Sequence, residues 1–388
     1  MNVVHVVESL DVGGLERVVV SLASWQKARG DSSRIICLFH EGALAVEARA
    51  KGLRVDVMNK STGLDLRALR ALRAALTDSG ADVVHTHNAM AHYYAVAAAI
   101  GLGIARIVNT RHGMGSTRES RRLGLLYRWA LFGTAQVVAV CHAARDGFVS
   151  TGQVPAEKAL VVPNGVAIEN IEPRSEWAKA QLLARLGRPE GTFLIGSVGR
   201  LNAVKDHATL LQAVRRMRHS GRAVDLLMIG DGELRAALEA EATELQLNHC
   251  VHFVGMRDDV AQWLAALDVF VLSSLSEGYS LALVEAATAA LPIVATRVGG
   301  NAEIVEHEVT GLLVPARDAD AIAVAVARLV DEPEQCERMG QAGRHWALRH
   351  GSVQAMGQAY QSLYGGAKGH DRRRPPIAGE STVAGGDR

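Results

Sequence analysis

The chain has 388 residues, of which 48% are hydrophobic and 21% are charged, and its formal net charge is +1. This composition is typical of an α/β enzyme and excludes disordered and collagen-like chains. The near-zero charge excludes a global electrostatic attraction to nucleic acid. The length exceeds what one hydrophobic core usually supports and therefore predicts two domains.

The first predicted element is a buried strand at residues 3–7, whose apolar run ends at Glu8 and Asp11. This segment lacks the basic region of a secretory signal, and no window of the sequence holds 18 uninterrupted apolar residues, as a membrane span would. The four cysteines lack the spacing of zinc-binding or disulfide pairs. We therefore expect a protein of the reducing cytoplasm that can at most contact the inner membrane surface.

Short apolar segments alternate with longer helical segments in both halves of the chain, which is typical of βαβ units and parallel sheets. The first half has predicted strands at residues 3–7, 33–38, 55–58, 83–86, 106–110, 136–140 and 159–162. The pattern restarts with strands at 193–198, 225–229, 251–254, 269–272, 293–296 and 311–314. We predict Rossmann-like domains at 1–168 and 179–351, a hinge at 169–178, a last helix at 352–365 and a flexible tail at 366–388.

The first candidate site is a pair of glycines after the first strand. Ligands of parallel sheets bind at the carboxyl ends of the strands, where helix N-termini present backbone N–H groups. Gly13 and Gly14 would let a phosphate or a sugar approach such a helix closely. Their spacing is not the G-x-G-x-x-G of nicotinamide-binding domains. A structural turn is the alternative explanation.

Two cations follow the first strand of the second domain. Arg200 and Lys205 lie in a loop that leads into a helix. Arginine can bind phosphate oxygens bidentately and lysine adds a compact charge, so the two suit a diphosphate and the charge that develops on a leaving phosphate. The alternative is that both are solvated surface cations.

A third loop, at residues 276–280, leads into a helix that carries Glu285. The Glu277 carboxylate can accept hydrogen bonds from two sugar hydroxyls, and the loop N–H groups can bind sugar or anion oxygens. Glu285 lies on an apolar helix face, where an unpaired carboxylate is costly and ribose hydroxyls would satisfy it. After the next Gly-Gly loop, Asn301 and Glu303 can be explained by helix capping alone.

Several histidines and aspartates of the sequence are residue types that can bind a metal ion. His85 and His87 are two residues apart at a strand end, so their side chains point to one face, as two metal ligands would. No third ligand accompanies them in the sequence, so a metal site is not favoured. The Asp-x-Asp motif of Asp318 and Asp320 opens a helix and is predicted to cap it. His112 ends a strand, from which it can hydrogen-bond a hydroxyl or a phosphate across the cleft. An ordinary loop histidine is the alternative.

A basic helix follows His112. An arc of about 120° on this helix holds the basic and aromatic side chains, and the opposite side is predicted to pack on the core. The arc contains Arg118, Arg121, Arg122, Leu125, Arg128, Trp129 and Phe132, and the predicted core side contains Leu123, Leu126, Tyr127 and Leu131. This arc suits an anionic membrane surface, and a solvated helix flank is the alternative.

In combination these segments resemble the retaining family-4 glycosyltransferases of GT-B architecture, over residues 1–364. The matching pieces are Gly13-Gly14, residues 82–87, residues 163–166, Gly199-Arg200 with Lys205, Gly230-Asp231-Gly232, Glu277 with Glu285, and Gly299-Gly300 with Glu303. Residues 5–16 are similar to a branch associated with bacterial exopolysaccharide assembly. The resemblance implies an α/β fold of two facing Rossmann-like domains, with the last helix crossing back to the first domain.

The resemblance also implies an activity: transfer of a hexose from a nucleoside diphosphate sugar to a glycan or lipid-linked acceptor, with retention of configuration and without a metal or cofactor. Arg200 and Lys205 would bind the diphosphate and Glu285 the ribose. The remaining donor contacts would be Gly13 and Gly14, the backbone of Val254 and Gly255 at the base, and Glu277 with the backbone of Gly278, Tyr279, Ser280 and Leu281 at the sugar. Many relatives have Phe-Pro in place of Tyr279-Ser280, so only backbone atoms are assigned there.

The first domain would supply the acceptor or membrane side, where His112 would lie near the reacting centre. The residues assigned to this side are Arg111, His112, Arg118, Arg121, Arg122 and Trp129. Two alternatives remain at this point: a nucleotide-sugar epimerase of the same architecture, and a non-catalytic protein that binds sugar nucleotides. The sequence leaves open the donor sugar, the base, the acceptor and the oligomeric state.

Overall fold

The computed structural model describes residues 1–114 and 121–365, without the side chains of residues 121 and 122. Arg118 and the predicted tail at 366–388 lie outside the described residues, and so do the side chains of Arg121 and Arg122. The described chain forms two sheets, each with only parallel strands. This arrangement confirms the predicted α/β fold with two Rossmann-like domains.

The first sheet has seven strands in the order β3-β2-β1-β4-β5-β6-β7. The strands are β1 (Asn2–Val7), β2 (Ser32–Cys37), β3 (Arg54–Val57), β4 (Val83–His87), β5 (Arg106–Arg111), β6 (Gln136–Ala139) and β7 (Ala159–Val161). The α-helices are α1 (Gly14–Ala28), α2 (Leu44–Ala50), α3 (Leu66–Ser79), α4 (Asn88–Ala99), α5 (Arg121–Ala130) and α6 (His142–Ser150). The strand order reverses between β1 and β4, so a crevice opens outside the ends of these two strands.

The second sheet has six strands in the order β10-β9-β8-β11-β12-β13. The strands are β8 (Phe193–Val198), β9 (Val224–Ile229), β10 (Val251–Gly255), β11 (Val269–Leu272), β12 (Ile293–Thr296) and β13 (Gly311–Val314). The α-helices are α7 (Glu176–Leu186), α8 (His207–His219), α9 (Arg235–Glu244), α10 (Val260–Leu264), α11 (Leu281–Thr288), α12 (Asn301–Ile304), α13 (Ala319–Asp331) and α14 (Pro333–His350). Here the order reverses between β8 and β11, whose following loops carry Lys205 and Glu277.

The last described helix, α15 (Val353–Gly365), returns to the first domain. The Tyr360 hydroxyl lies 2.9 Å from the Thr110 hydroxyl, and the Tyr364 hydroxyl lies 2.7 Å from Nδ1 of His85. Gly357 is needed because a Cβ there would collide with the ring of Trp25 on α1. The helix therefore crosses back to the first domain, as the resemblance implied.

The connection between the two sheets runs from Val161 to Phe193 and includes α7. The predicted hinge at 169–178 falls in this interval and stays a prediction, as do the domain limits at 168 and 351. Among the described residues, no helix combines the length and the apolar character needed to cross a membrane.

The basic helix α5 differs from its prediction. Tyr127 and Leu131 are buried, as expected, but Leu123 is 40% exposed and Leu126 is 46% exposed. The prediction that these two leucines pack on the core is wrong, because the described side chains of α5 that are buried are only Tyr127 and Ala130, with Leu131 directly after the helix. The exposed side chains of α5 and its end also include Leu125, Trp129 and Phe132.

Candidate active site

The cation loop after β8 is held by its own residues and by the neighbouring loop. The side chain of Asn202 accepts a hydrogen bond from the backbone N–H of Lys205 at 3.2 Å. The Ser273 hydroxyl donates to the Lys205 carbonyl at 2.9 Å. Gly199 leaves room for the lysine stem, because a Cβ there would lie 3.2 Å from Cε of Lys205. The loops that follow β8 and β11 therefore fix the position of Lys205 between them.

Lys205 and Glu277 are directly paired. The lysine ammonium donates to Oε1 of Glu277 at 2.6 Å, and both side chains are mostly buried. The Ser274 hydroxyl donates to the same oxygen, also at 2.6 Å. The sequence assigned these two charges to different parts of a donor, and the structure brings them into one cluster.

Arg200 lies on the exposed side of the same loop. Among the described residues, none is seen to accept a hydrogen bond from its guanidinium. Its positive charge favours the ionised form of two carboxyl groups of the first domain, those of Asp11 and Glu16. The pKa of Asp11 is lowered mainly by the Ser9 hydroxyl and to a lesser extent by Arg200. Arg200 thus lies at the opening between the domains and remains available to an anion.

The Gly13–Gly14 loop faces the second domain. A Cβ at Gly13 would collide with the carboxylate of Glu16, which folds back over the loop. A Cβ at Gly14 would lie 3.6 Å from Cδ1 of Leu281, the first residue of α11. The second glycine therefore lies against the helix that carries Glu285.

Glycines also make the closest contacts around Glu277. Gly299 has a φ of +49°, and a Cβ there would collide with the Glu277 carbonyl. A Cβ at Gly278 would lie only 2.6 Å from the carbonyl oxygen of His112. The Glu277 loop is therefore packed between the second Gly-Gly loop and the end of β5, and it faces the first domain through backbone atoms.

Glu303 links the domains in a way that the sequence did not predict. Its two carboxylate oxygens accept hydrogen bonds from the backbone N–H groups of His142 at 2.9 Å and Ala143 at 3.1 Å. These are the first N–H groups of α6, so a carboxylate of the second domain caps a helix of the first. Capping of its own helix, the simple explanation, is not what Glu303 does. Asn301 donates instead to the Thr296 carbonyl at 2.9 Å.

Glu285 is partly buried on α11. Burial raises its pKa to about 7, and the charge of Arg17 on α1 partly opposes this shift. Arg17 was not among the predicted residues, although it lies three positions after Gly14 in the helix that the glycine loop opens. Glu285 thus lies where water is largely excluded and where one cation of the opposite domain acts on it.

Other predicted donor residues lie along the same side of the second sheet. The Tyr279 side chain is buried, and burial raises its pKa above the ordinary value. The side chain is therefore part of the protein interior, and the assigned backbone contact of Tyr279 with the sugar stays a prediction. Gly255, at the end of β10, has a φ of +83°, and its carbonyl accepts a hydrogen bond from Gly230 at 2.9 Å. The contacts of Val254 and Gly255 with a base stay predictions.

The described acceptor-side residues differ in how far they are exposed. The guanidinium of Arg111 is buried, 4.4 Å from the ring centroid of Phe148 and 5.0 Å from that of Tyr127. It also donates to Gln153 at 3.0 Å. Arg111 therefore holds the first domain together, whereas Trp129 is exposed on α5. The acceptor role of either residue stays a prediction.

The aspartate and histidine motifs have definite partners. Oδ1 of Asp318 accepts a hydrogen bond from Ala321 at 2.8 Å, which confirms the predicted cap of α13. A third imidazole lies beside those of His85 and His87. It belongs to His5 on the adjacent strand, and the sequence did not reveal it. Each ring nitrogen of these three histidines already lies within hydrogen-bond distance of another group. The cluster is thus satisfied as a hydrogen-bond network.

Together these loops can bind an anion between the domains, with Arg200 and Lys205 on one side and a helix N-terminus on the other. The fold has a parallel among solved structures. The Anabaena protein HepE in complex with UDP-glucose superimposes with a TM-score of 0.83, at 21% identity over 94% of this chain and 99% of that chain. The fold and the cleft define a protein of the GT-B class.

Sequence comparisons identify the family. The model described as Glycosyltransferase Family 4 matches residues 12–170, and the model described as Glycosyl transferases group 1 matches residues 179–346. The UDP-Gal:alpha-D-GlcNAc-diphosphoundecaprenol alpha-1,3-galactosyltransferase of Escherichia coli is 30% identical, over 69% of this chain and 71% of that protein. The amylovoran biosynthesis glycosyltransferase AmsK of Erwinia amylovora is 32% identical, over 45% of this chain and 42% of its own length. The chain belongs to the family-4 glycosyltransferases and is a glycosyltransferase.

Proposed function

We propose that this glycosyltransferase moves a hexose from a nucleoside diphosphate sugar to a glycan or lipid-linked acceptor, with retention of anomeric configuration and without a metal ion. We further propose a role in the synthesis of exopolysaccharide or another cell-surface glycan. The observation that carries the proposal is the pairing of Lys205 with Glu277 at 2.6 Å, directly at the switch point of the second sheet.

The diphosphate part of the proposal rests on charge and position. Arg200 offers a guanidinium without a hydrogen-bonding acceptor among the described residues, and Lys205 lies in the same loop. A leaving diphosphate gains negative charge as the glycosidic bond breaks, and fixed cations stabilise that charge more in the transition state than in the ground state. These two cations supply the charge that a metal ion supplies in other transferases, which supports metal independence.

The sugar and nucleoside parts rest on the two carboxylates. Glu277 has a second carboxylate oxygen besides the one that accepts from Lys205 and Ser274. That oxygen can accept from a sugar hydroxyl, which orients the sugar above the diphosphate. Glu285 lies further along α11, where ribose hydroxyls would donate to it. The solved complex of HepE with UDP-glucose and the UDP-Gal named for the Escherichia coli relative support this class of donor.

The part of the proposal that concerns the acceptor rests on the names of two relatives and on the exposed side chains of α5. The Escherichia coli relative is named for a diphosphoundecaprenol-linked acceptor, and AmsK for amylovoran biosynthesis. On α5, Trp129 is 44% exposed and Phe132, just after it, is 90% exposed. Aromatic side chains beside arginine suit the headgroup region of an anionic membrane. We therefore propose that α5 rests on the inner face of the cytoplasmic membrane, where lipid-linked acceptors are found.

The first experiment is a thermal-shift screen of nucleotide sugars against the purified chain. A ligand present at 100 times its dissociation constant adds about 2.7 kcal/mol to the free energy of unfolding. The stabilising donor is then incubated with membrane lipid or glycan acceptors, and the product is analysed for transfer. Release of epimerised nucleotide sugar without an acceptor, or donor binding with neither hydrolysis nor transfer, would contradict the proposed reaction.

Retention and metal independence have separate readouts. The anomeric coupling constant of the product, compared with that of the donor by proton NMR, tests retention. Transfer rates with EDTA and with added Mg²⁺ or Mn²⁺ test metal independence, for which equal rates are expected. An inverted product or loss of transfer in EDTA would overturn the corresponding part of the proposal.

A further inference from the structure

A continuous line of imidazole rings runs from the core of the first domain to the cleft. Nε2 of His5 lies 2.8 Å from Oε1 of Gln26. Nδ1 of His5 lies 3.2 Å from Nε2 of His87. Nδ1 of His87 in turn lies 3.0 Å from Nε2 of His112. The line therefore connects α1, β1, β4 and the residue that follows β5.

The amide of Gln26 sets the direction of every hydrogen bond in this line. An amide oxygen only accepts, so Nε2 of His5 must carry a proton and, in a neutral ring, Nδ1 of His5 must accept. His87 then donates from Nε2 and accepts at Nδ1, and His112 donates from Nε2. Nδ1 of His112 is left as an acceptor. The Ser33 hydroxyl donates to the same oxygen of Gln26 at 3.0 Å, and the amide nitrogen of Gln26 is buried without a hydrogen-bond partner among the described residues.

Burial keeps all of these rings neutral. It lowers the pKa of His5 to about 4 and that of His112 to about 3. It also lowers the pKa of His87 well below the ordinary value, with smaller contributions from His85, His112 and His5. A neutral ring has one donor and one acceptor, so the direction fixed at Gln26 passes unchanged along the line.

A fourth histidine, His85, packs beside the line. The ring centroid of His85 lies 4.2 Å from that of His87. His85 is itself fixed by Thr110, 2.7 Å from its Nε2, and by Tyr364 of α15 at its Nδ1. The rings of the line can therefore hardly reorient, and the returning helix contributes to this restraint.

Of the ring nitrogens in the line, the last is the one without a partner among the described residues. Nδ1 of His112 is buried and has no hydrogen-bond partner among the described residues. The carbonyl of the same residue lies against Gly278, beside Glu277. A buried acceptor without a partner has lost its hydrogen bond to water and gained none in return, which destabilises the free protein. Such a group beside the Glu277 loop indicates a ligand that donates a hydrogen bond.

We propose that Gln26, His5 and His87 are positioning residues that hold His112 in one neutral tautomer, with Nδ1 as an acceptor for a hydroxyl group of the bound substrate. This proposal rests on the proposed function for the identity of the ligand, but the tautomer is a property of the free protein. A neutral acceptor recognises a hydroxyl and repels a phosphate oxygen, so His112 serves the sugar or the acceptor alcohol and leaves the diphosphate to Arg200 and Lys205.

The direct test is ¹⁵N NMR of the free protein labelled at histidine. Nitrogens with and without a proton have well-separated chemical shifts, and the His112→Gln variant identifies the signals of His112. We expect Nδ1 of His112 to be unprotonated and Nε2 to be protonated. A protonated Nδ1 would overturn the proposal, whatever the activity of the protein.

Two variants of Gln26 test whether its amide sets the direction of the hydrogen bonds along the line. Gln26→Glu places a carboxylate against His5 and favours its charged form, in which both ring nitrogens donate, so the line is expected to reverse and Nδ1 of His112 to carry the proton. Gln26→Leu removes the acceptor, so a second His112 tautomer is expected, with kcat/KM lower by about 2- to 10-fold, the range of one neutral hydrogen bond. If both variants showed the wild-type His112 signals, Gln26 would not set the direction.

A matched control separates this effect from general loss of stability. His92 is also buried in the first domain, and its two nitrogens lie 2.9 Å from Thr86 and 2.9 Å from Thr134, outside the line. His92→Gln is expected to lower the melting temperature without a second His112 tautomer. Titration with Zn²⁺ provides a further check, because a shift of the His5, His85 and His87 signals at stoichiometric zinc would show a metal cluster in place of a hydrogen-bonded line.

Discussion

The Lys205 ammonium group lies 2.6 Å from a carboxylate oxygen of Glu277, and a serine hydroxyl donates to the same oxygen. The pair is mostly buried at the bottom of the cleft. Each charge holds the other in place before a donor arrives, so the site is organised in advance for a diphosphate and a sugar that lie side by side. This geometry makes the two residues mutually dependent.

Lys205→Met is expected to lower kcat by about 100- to 1000-fold, the usual effect of removing one group that stabilises developing charge. The matched control is Lys179→Met, because Lys179 pairs at 2.7 Å with the buried Asp268 of the same domain. The control should lower the melting temperature and keep kcat. Steady-state kinetics with the identified donor and thermal unfolding distinguish the two. Equal kcat for Lys205→Met and wild type would contradict the role of Lys205.

Arg200→Ala is expected to weaken binding of the nucleoside diphosphate product by about 10- to 100-fold, the effect of losing a charged hydrogen bond. The fold should be unaffected, because Arg200 is exposed. Arg257→Ala is the control, since Arg257 is exposed on the same domain and pairs with Asp259. Isothermal titration calorimetry measures both. Equal losses for the two variants would indicate a general charge effect and contradict a specific contact.

Glu285 should make both stability and donor binding depend on pH. Its pKa rises on folding from 4.5 to about 7, so across that window the folded state holds a proton that the unfolded state lacks. The free energy of unfolding therefore falls as pH rises from 4.5 to about 7. Ribose hydroxyls donate to the ionised carboxylate, so donor affinity should increase as pH rises through about 7.

The Glu285→Gln variant should lose both pH dependences. Denaturant unfolding from about pH 4 to about pH 8, a range that spans both the unfolded and the folded pKa, measures the first. Donor titrations over the same range measure the second. Glu169→Gln is the control, because Glu169 is an exposed acid of the connection between the two sheets. A Glu285→Gln variant with the wild-type pH profile of donor binding would rule out the ribose contact.

Glu303→Ala should loosen the closed arrangement of the two domains. The variant leaves two N–H groups of α6 without their acceptor, and loss of such a cap costs about 1 kcal/mol. We expect a larger radius of gyration by small-angle X-ray scattering and a several-fold higher KM for the donor. Glu306→Ala, an exposed acid three residues further on, is the control. Unchanged scattering and KM would mean that the cap does not control closure.

Trp129→Ser combined with Phe132→Ser should reduce sedimentation with anionic liposomes and leave binding to neutral liposomes low. Both side chains are exposed, so little stability is lost. Trp177→Ser removes a tryptophan that is 74% exposed on the second domain and should not change sedimentation. If the α5 variant sediments like wild type, α5 is a solvated helix flank.

The fold was predictable because its signals are local. The strands predicted at 193–198 and 269–272 coincide with β8 and β11, since a parallel strand that is buried on both faces is apolar along most of its length. The positions of Lys205 and Glu277 followed from the rule that places ligands at strand ends. Their direct ion pair did not, because the sequence does not specify side-chain conformation.

Contacts between segments that are far apart along the chain could not be predicted from the sequence. Glu303 has the position of a local cap, and nothing in its neighbourhood indicates that its partner is α6, 161 residues earlier at His142. His5 looks like one more residue of a buried strand until strand order places it beside His85. The sequence of α5 also gave no sign that Leu126 would remain exposed, because amphipathic patterns describe a helix and not the width of the surface beneath it.

The return of α15 to the first domain has a consequence for biosynthesis. Tyr360 and Tyr364 fill the core of a domain whose sheet ends at Val161. During translation, the first domain must therefore wait for the whole second domain to emerge before its own packing is complete. Domains usually fold in the order in which they are made; here the domain that is made first is finished last. A ribosome-bound chain without α15 would expose the apolar surface of α1 that α15 covers in the finished protein.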